Sequence, residues 1–91
     1  MVVRIEFYGI PRSRTGVAHT TLEFPAAPIT LARIVAELVA RFPDFGADCV
    51  ESDGLARTCV ANINGERFVG GASATISDGE TVLIMSADAG G

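Results

Sequence analysis

The sequence predicts an α+β fold in which a mixed sheet of four to five strands carries one main helix packed on one face. Three observations predict it: apolar residues that alternate near both ends of the chain, one helical repeat in the middle, and two turn signals in the second half. Because one helix can cover one face of one sheet, the 91 residues form a single domain. We assign residues 1–86 to this domain and residues 87–91 to a flexible C-terminal tail.

The first two strands are predicted to form a hairpin. Apolar residues alternate with other residues through 3–8 and again through 18–24, which is the period of a strand with one buried face. Between them, residues 9–17 are rich in turn formers, and we expect a solvated loop there. A docking role for its Arg12 and Arg14 is the alternative interpretation.

A single apolar stripe predicts the main helix. Thr30 is well placed as its N-cap, and Pro43 prevents its continuation. We assign the stripe to packing against the sheet rather than to ligand binding. Residues 43–57 show no sustained period, and we expect a loop there with room for one helical turn. The stripe follows the spacing i, i+3, i+4, i+7, i+8 and i+11: Leu31, Ile34, Val35, Leu38, Val39 and Phe42.

Two turn signals organise the second half of the chain. Asn64-Gly65 separates two short strands, and Asp78-Gly79 precedes a last strand from Thr81 to Met85. The resulting order of strand, strand, helix, strand, short strand, strand is that of the β-grasp, or ubiquitin-like, fold. In that fold the last strand lies parallel to the first.

The last strand is apolar on both faces, because Val82 and Ile84 alternate with Leu83 and Met85. One face would meet the helix. The other face is either covered by loops or forms a partner surface next to the tail.

Composition excludes several classes of function. A net charge of −4, with seven arginines and no lysine, argues against binding to a phosphate backbone. Cys49 and Cys59 lie ten positions apart, and the chain has one histidine, which is too few ligands for a metal site. We therefore expect two reduced thiols, with a disulfide as the alternative. No apolar stretch is long enough to span a membrane. We therefore expect a soluble cytoplasmic protein.

The tail combines two glycines with a carboxylate. Gly90 and Gly91 have no side chain, so a narrow slot of a partner could close around them. Five extended residues reach at most about 17 Å, enough to enter a neighbouring active site. The α-carboxylate of Gly91 must be activated before it can react. Its attack on the α-phosphate of ATP would give an acyl-adenylate, and a sulfur nucleophile would then displace AMP to leave a thiocarboxylate. The chain has no phosphate-binding loop and no nucleophile–base pair. We therefore expect that this protein is not itself an enzyme, that it binds no cofactor, and that a separate enzyme activates it.

The segments "NGERF", "ISDGETVLI" and the closing "AGG", in this order around the predicted fold, resemble the ThiS/MoaD family of β-grasp sulfur carriers. The resemblance covers nearly the whole chain. Within the family, "RFVGGASATISDGETVLIMSADAGG" is most similar to the cysteine-synthesis (CysO-like) carriers. Residues Ser86-Ala87-Asp88 stand where the small subunits of molybdopterin synthase usually have a Pro-Pro pair.

The resemblance implies a role for the tail and for one face. Gly91 would be the adenylated and thiocarboxylated position and Gly90 the glycine that passes through the slot. The implied partners are an E1-like adenylating enzyme and a sulfur-accepting synthase, either cysteine synthase-like or the large subunit of molybdopterin synthase. A ubiquitin-like modifier and a β-grasp interaction module remain alternatives. The candidate partner-binding residues are Phe68, Leu83, Met85 and Ala89.

Overall fold

The computed structural model describes residues 1–52 and 54–87, and its body is a five-stranded sheet. Strands β1 (Val2–Tyr8) and β9 (Thr81–Ser86) are parallel neighbours in it, and the other neighbouring pairs are antiparallel. The predicted α+β fold, with the last strand parallel to the first, is confirmed. In spatial order the strands are β2 (His19–Glu23), β1 (Val2–Tyr8), β9 (Thr81–Ser86), β6 (Cys59–Ile63) and β7 (Arg67–Val69).

Smaller elements surround this sheet. Two two-residue strands, β3 (Ile29–Thr30) and β8 (Thr75–Ile76), pair with each other, as do β4 (Val50–Glu51) and β5 (Gly54–Leu55). The sequence did not predict these pairs, because two residues are too short for a strand period to show. The helices are α1 (Ile10–Thr15), α2 (Leu31–Arg41) and α3 (Pro43–Cys49).

Helix α2 is the predicted main helix and closes the core. The Thr30 side chain accepts a hydrogen bond from the backbone N–H of Arg33 at 3.2 Å, which confirms the predicted cap. Its stripe faces the sheet, with Val39 and Phe42 only partly buried. On the outer side, Arg41 pairs with Glu37 at 3.5 Å. The helix buries Leu31, Ile34, Val35 and Leu38 against inward side chains of the sheet: Val3, Ile5, Phe7, Leu22, Ala61, Ile63, Val82 and Ile84.

The prediction of a loop at residues 9–17 was wrong, because this segment contains α1. Pro11 fits the first turn of a helix, where its missing N–H has no partner to lose, and it is buried. Gly16, at φ 76°, ends the helix and donates its N–H to the Arg12 carbonyl at 2.9 Å. A helix of six residues is too short for an apolar period to show in the sequence.

At residues 43–57 the sequence predicted a loop with room for one helical turn, whereas the structure has a helix of seven residues followed by the short strands β4 and β5. Pro43 ends α2 as expected but then starts α3, which buries Phe45 and Cys49. The ring of Phe45 lies 6.0 Å from that of Phe7 on β1, so this segment contributes to the core. Gly46 allows the close approach of α3 to α2, since a Cβ there would come within 2.9 Å of Val39 Cγ1.

Both predicted turns are present and hold the central strands in register. Asn64 and Gly65 have φ of 59° and 75°, the two positive values that a tight hairpin turn requires. Asn64 also accepts a hydrogen bond from the Thr81 N–H at 2.9 Å. Asp78 accepts one from the Val2 N–H at 2.7 Å, which attaches the second turn to the start of β1. In the described part of the chain, no helix has the length and apolarity that crossing a membrane requires.

Candidate functional site

The sheet face opposite α2 carries an apolar patch. In β9, Val82 and Ile84 are fully buried, whereas Leu83 and Met85 alternate onto the opposite face and stay partly exposed. The strand register places apolar residues of β1, β6 and β7 on this same face. We call the set the outer patch: Tyr8, Val60, Phe68, Leu83 and Met85.

Three of the predicted partner-binding residues belong to this patch. Phe68, Leu83 and Met85 lie on one face, and none of them is part of the core. Phe68 is 63% exposed and Tyr8 is 41% exposed. Of the two possibilities that the sequence left open, burial by loops is therefore excluded for the residues the structure describes. The fourth candidate, Ala89, lies outside the described residues.

A buried amide lies beneath the outer patch. Asn62 stands opposite Phe68 on β7 and opposite Leu83 on β9, and it is only 6% exposed. Its Oδ1 accepts no hydrogen bond from any described residue. An unsatisfied buried acceptor lowers the stability of the fold. A hydrogen-bond donor from a bound partner would therefore remove this cost at Asn62. Sequence reasoning missed it, although an Asn between apolar residues in "CVANI" was the signal available.

A charged edge bounds the patch on the β1 side. The Tyr8 hydroxyl donates to Glu6 Oε1 at 2.5 Å, and Arg4 Nε lies 2.9 Å from Glu6 Oε2. The hydrogen bond from Tyr8, followed by the one from Arg4, lowers the pKa of Glu6. The bond between Tyr8 and Glu6 also raises the pKa of Tyr8. Glu6 is therefore an ionised carboxylate whose charge is balanced by Arg4, and it lies beside Leu83, its neighbour in register.

The chain leaves the sheet at a fixed point. Ser86 ends β9 with a buried side chain whose Oγ accepts a hydrogen bond from the Ile10 N–H at 2.7 Å. On the other side, the Ala87 N–H donates to the Thr58 carbonyl at 2.7 Å. Gly9, at φ 67°, leaves room for this contact, since a Cβ there would collide with Ser86 Oγ. We call this point the tail exit. The predicted site residues Gly90 and Gly91 lie beyond it, outside the described residues.

The two cysteines are free and buried. Arg14, for which docking was the alternative interpretation, forms a salt bridge through its Nε with Asp48 of α3. Burial, followed by the neighbouring Cys59, raises the pKa of Cys49 to about 12. At neutral pH Cys49 is therefore a protonated core residue, not a nucleophile.

Solved structures resemble this chain along nearly its whole length. Small archaeal modifier protein SAMP1 from Haloferax volcanii matches with a TM-score of 0.81 and 15% identity, covering 100% of both chains. A proposed molybdopterin converting factor, subunit 1, from Pyrococcus furiosus matches with a TM-score of 0.73 and 19% identity over 94% of this chain and 97% of its own. At such identities the likeness shows the fold alone.

A third structure is also related in sequence. A chain from the Amycolatopsis orientalis BexX/CysO complex matches with a TM-score of 0.70 and 29% identity, covering 98% of this chain and 99% of its own. No protein-family model and no curated protein matches the chain. The sheet order, the two turns and these matches together confirm the resemblance of this chain to the ThiS/MoaD family of β-grasp proteins.

Proposed function

We propose that this protein is a sulfur carrier. An E1-like enzyme adenylates the carboxylate of Gly91 at the expense of ATP, and a sulfur donor then displaces AMP to give a thiocarboxylate. The thiocarboxylate passes its sulfide to a biosynthetic enzyme. The observation that supports this most is the match at 29% identity, over nearly all of both chains, to a chain of the BexX/CysO complex.

In this proposal the protein is a substrate of its partners, not a catalyst. The tail exit holds the base of the tail between Ile10 and Thr58, so the final residues start from a rigid body. The outer patch is the docking face, because large apolar side chains exposed together are typical of protein interfaces. ATP binds to the activating enzyme, and the reaction takes place in the cytoplasm.

Cysteine synthesis is the pathway we favour for the sulfur. The match that includes CysO has 29% identity, whereas the proposed molybdopterin converting factor has 19%. Delivery to the large subunit of a molybdopterin synthase is the second possibility. Offering the thiocarboxylated chain to a cysteine synthase-like enzyme and to a molybdopterin synthase large subunit separates them, since only the true acceptor consumes the thiocarboxylate.

A protein modifier is the alternative, because SAMP1, a small archaeal modifier protein, has the same fold with a TM-score of 0.81. A modifier would transfer Gly91 to an amino group of another protein instead of surrendering sulfide. Immunoblots of the host proteome against this chain distinguish the two: a carrier gives one band at its own mass, and a modifier gives a ladder of larger conjugates.

Activation at Gly91 is tested with a chain extended by one alanine after that residue. Pyrophosphate exchange into ATP, catalysed by the host's E1-like enzyme, reports adenylation. The extension should abolish exchange, because the reactive carboxylate is displaced by one residue, while one alanine added before Met1 should leave it unchanged. Equal exchange by both extended chains would contradict a role for the Gly91 carboxylate.

Docking through the outer patch is tested with Leu83→Asp. A charge at the centre of a buried interface should raise the KM for the carrier by about tenfold or more. Val17→Asp places the same charge at an exposed apolar residue outside the patch and should leave KM unchanged. If both variants have the wild-type KM, the activating enzyme does not use this face.

A further inference from the structure

Two of the seven arginines differ from the rest in having no partner among residues 1–52 and 54–87. Four arginines form salt bridges with acidic side chains: Arg4 with Glu6, Arg14 with Asp48, Arg41 with Glu37 and Arg67 with Glu80. Arg33 stacks over the ring of Phe24, with 5.3 Å between its Cζ and the ring centroid. Within the described ranges, neither Arg12 nor Arg57 forms a salt bridge or a stacking contact, and both are exposed.

The backbone segments that carry these two arginines both contribute to the tail exit. Arg57 directly precedes Thr58, whose carbonyl accepts the hydrogen bond from the Ala87 N–H. Arg12 is on α1, two residues after Ile10, whose N–H binds Ser86 Oγ. One arginine thus belongs to the β6 side of the departing chain and the other to the α1 side.

The backbone of Arg12 belongs to the end of the sheet at which β9 stops. Its helix, α1, begins two residues after Tyr8, and Tyr8 is the neighbour in register of Met85, the residue before Ser86. The hydrogen bond to Glu6 raises the pKa of Tyr8, and the charges of Arg4 and Arg12 oppose that rise.

The chain as a whole has a net charge of −4. Among residues 1–52 and 54–87, the acidic side chains that pair with arginines do so elsewhere and leave Arg12 and Arg57 without an acidic partner. An unpaired arginine has five donors in a planar fork that suits a carboxylate. Within the described ranges, the segments that form the tail exit therefore carry two exposed arginines without an acidic partner.

Any partner that acts on the end of the tail must contact this site. Residues 87–91 reach at most about 17 Å when extended, so the mouth of the partner's channel has to lie close to the tail exit. The two arginines would then face the rim of that channel on opposite sides.

We propose that Arg12 and Arg57 form a cationic clamp around the tail exit that docks onto acidic side chains at the rim of the activating enzyme's channel. This inference rests on the proposed function and names the chemistry of the partner surface. Repulsion between the remaining acidic surface and an acidic rim would disfavour other orientations, so the clamp would select the one that admits the tail.

The clamp is tested by kinetics with the double variant Arg12→Glu/Arg57→Glu, in pyrophosphate exchange with the host's E1-like enzyme and ATP. The KM for the carrier should rise about tenfold or more while kcat changes less than about twofold, because the clamp acts in docking and not in chemistry. Raising the salt concentration should weaken the wild type more than the double variant. Arg12→Lys/Arg57→Lys, which keeps both charges, should recover most of the wild-type KM.

The matched control is Arg41→Glu/Arg67→Glu, which makes the same change of charge at two arginines that pair with Glu37 at 3.5 Å and with Glu80 at 3.6 Å. It should keep the wild-type KM. An Arg12→Glu/Arg57→Glu variant whose KM equals that of this control would overturn the clamp and leave the proposed function intact. A wild-type chain that supports no exchange would overturn the proposed function, and the clamp with it.

Discussion

Ser86 and Ile10 are joined by a hydrogen bond of 2.7 Å between the Ser86 hydroxyl oxygen and the Ile10 N–H, 76 positions apart in the chain. Ser86 is the last residue of the last strand, and Ile10 is the first residue of α1. The bond therefore ties the base of the tail to the first turn after β1. It also gives an acceptor to a helix N–H that has none within its own helix.

Removing this bond should weaken the fold measurably. Ser86→Ala leaves the Ile10 N–H without its acceptor, and we expect a loss of about 1–3 kcal/mol in the free energy of unfolding. Gly9→Ala should cost about 1–3 kcal/mol as well, since φ is 67° there and the new Cβ collides with Ser86 Oγ. Urea unfolding measures both values.

The control for Gly9 is Gly70→Ala, where a Cβ meets open space at a residue without positive φ. It should change stability by less than about 0.5 kcal/mol. Gly9→Ala as harmless as this control would show that the Ser86 contact is not tight.

Two phenylalanines distinguish the core from the outer patch. Phe45→Ala should cost about 3–5 kcal/mol, because Phe45 is fully buried on α3. Phe68→Ala makes the same change on the outer patch at a residue 63% exposed, and it should cost less than about 1 kcal/mol. Chemical denaturation of both variants checks this. Similar losses for the two would mean that α3 is not packed against the sheet as described.

The turn at Asn64 should be sensitive to a single side chain. Asn64→Ala removes the acceptor for the Thr81 N–H and places alanine at a φ of 59°. We expect a loss of about 1–2 kcal/mol in unfolding free energy. Glu66→Ala, an exposed change in the same hairpin, serves as the control. If both variants lose the same small amount of unfolding free energy, Asn64 does not fix the register of these strands.

The buried thiol of Cys49 predicts a dependence of stability on alkaline pH. Its pKa rises from 9.0 unfolded to about 12 folded, mainly through burial. Folding therefore favours the neutral thiol, so this contribution is complete below about pH 9 and is lost as the pH rises toward about 12. Unfolding midpoints of the wild type should fall more steeply over this range than those of Cys49→Ala. Parallel pH profiles would show that Cys49 ionises as freely in the folded state as in the unfolded state.

The elements with a clear period were predictable from the sequence. The alternation around Ile5, the stripe around Leu38 and the Asn64-Gly65 turn carry their structure in local patterns, and all three were confirmed. The two short helices were not predictable in this way. In α1 and α3 a proline that usually breaks a helix instead starts one, and the buried side of each is decided by contacts with distant strands.

The candidate site divides along the same line. Alternation in β9 was enough to place Leu83 and Met85 away from the core. The pairing of Asn62 with Phe68 and the anchoring of Ser86 by Ile10 both depend on tertiary contacts. No spacing in the sequence brings those residues together.

The central proposal, sulfur transfer from Gly91, is tested most directly by mass spectrometry of the chain isolated from its host without added thiols. The C-terminal peptide has to be fragmented, because oxidation of Met85 adds nearly the same mass as exchange of a carboxylate oxygen for sulfur. Sulfur located on Gly91 is the predicted result. A population that carries only the plain carboxylate, and that the host's E1-like enzyme and ATP also fail to adenylate, would contradict the carrier function.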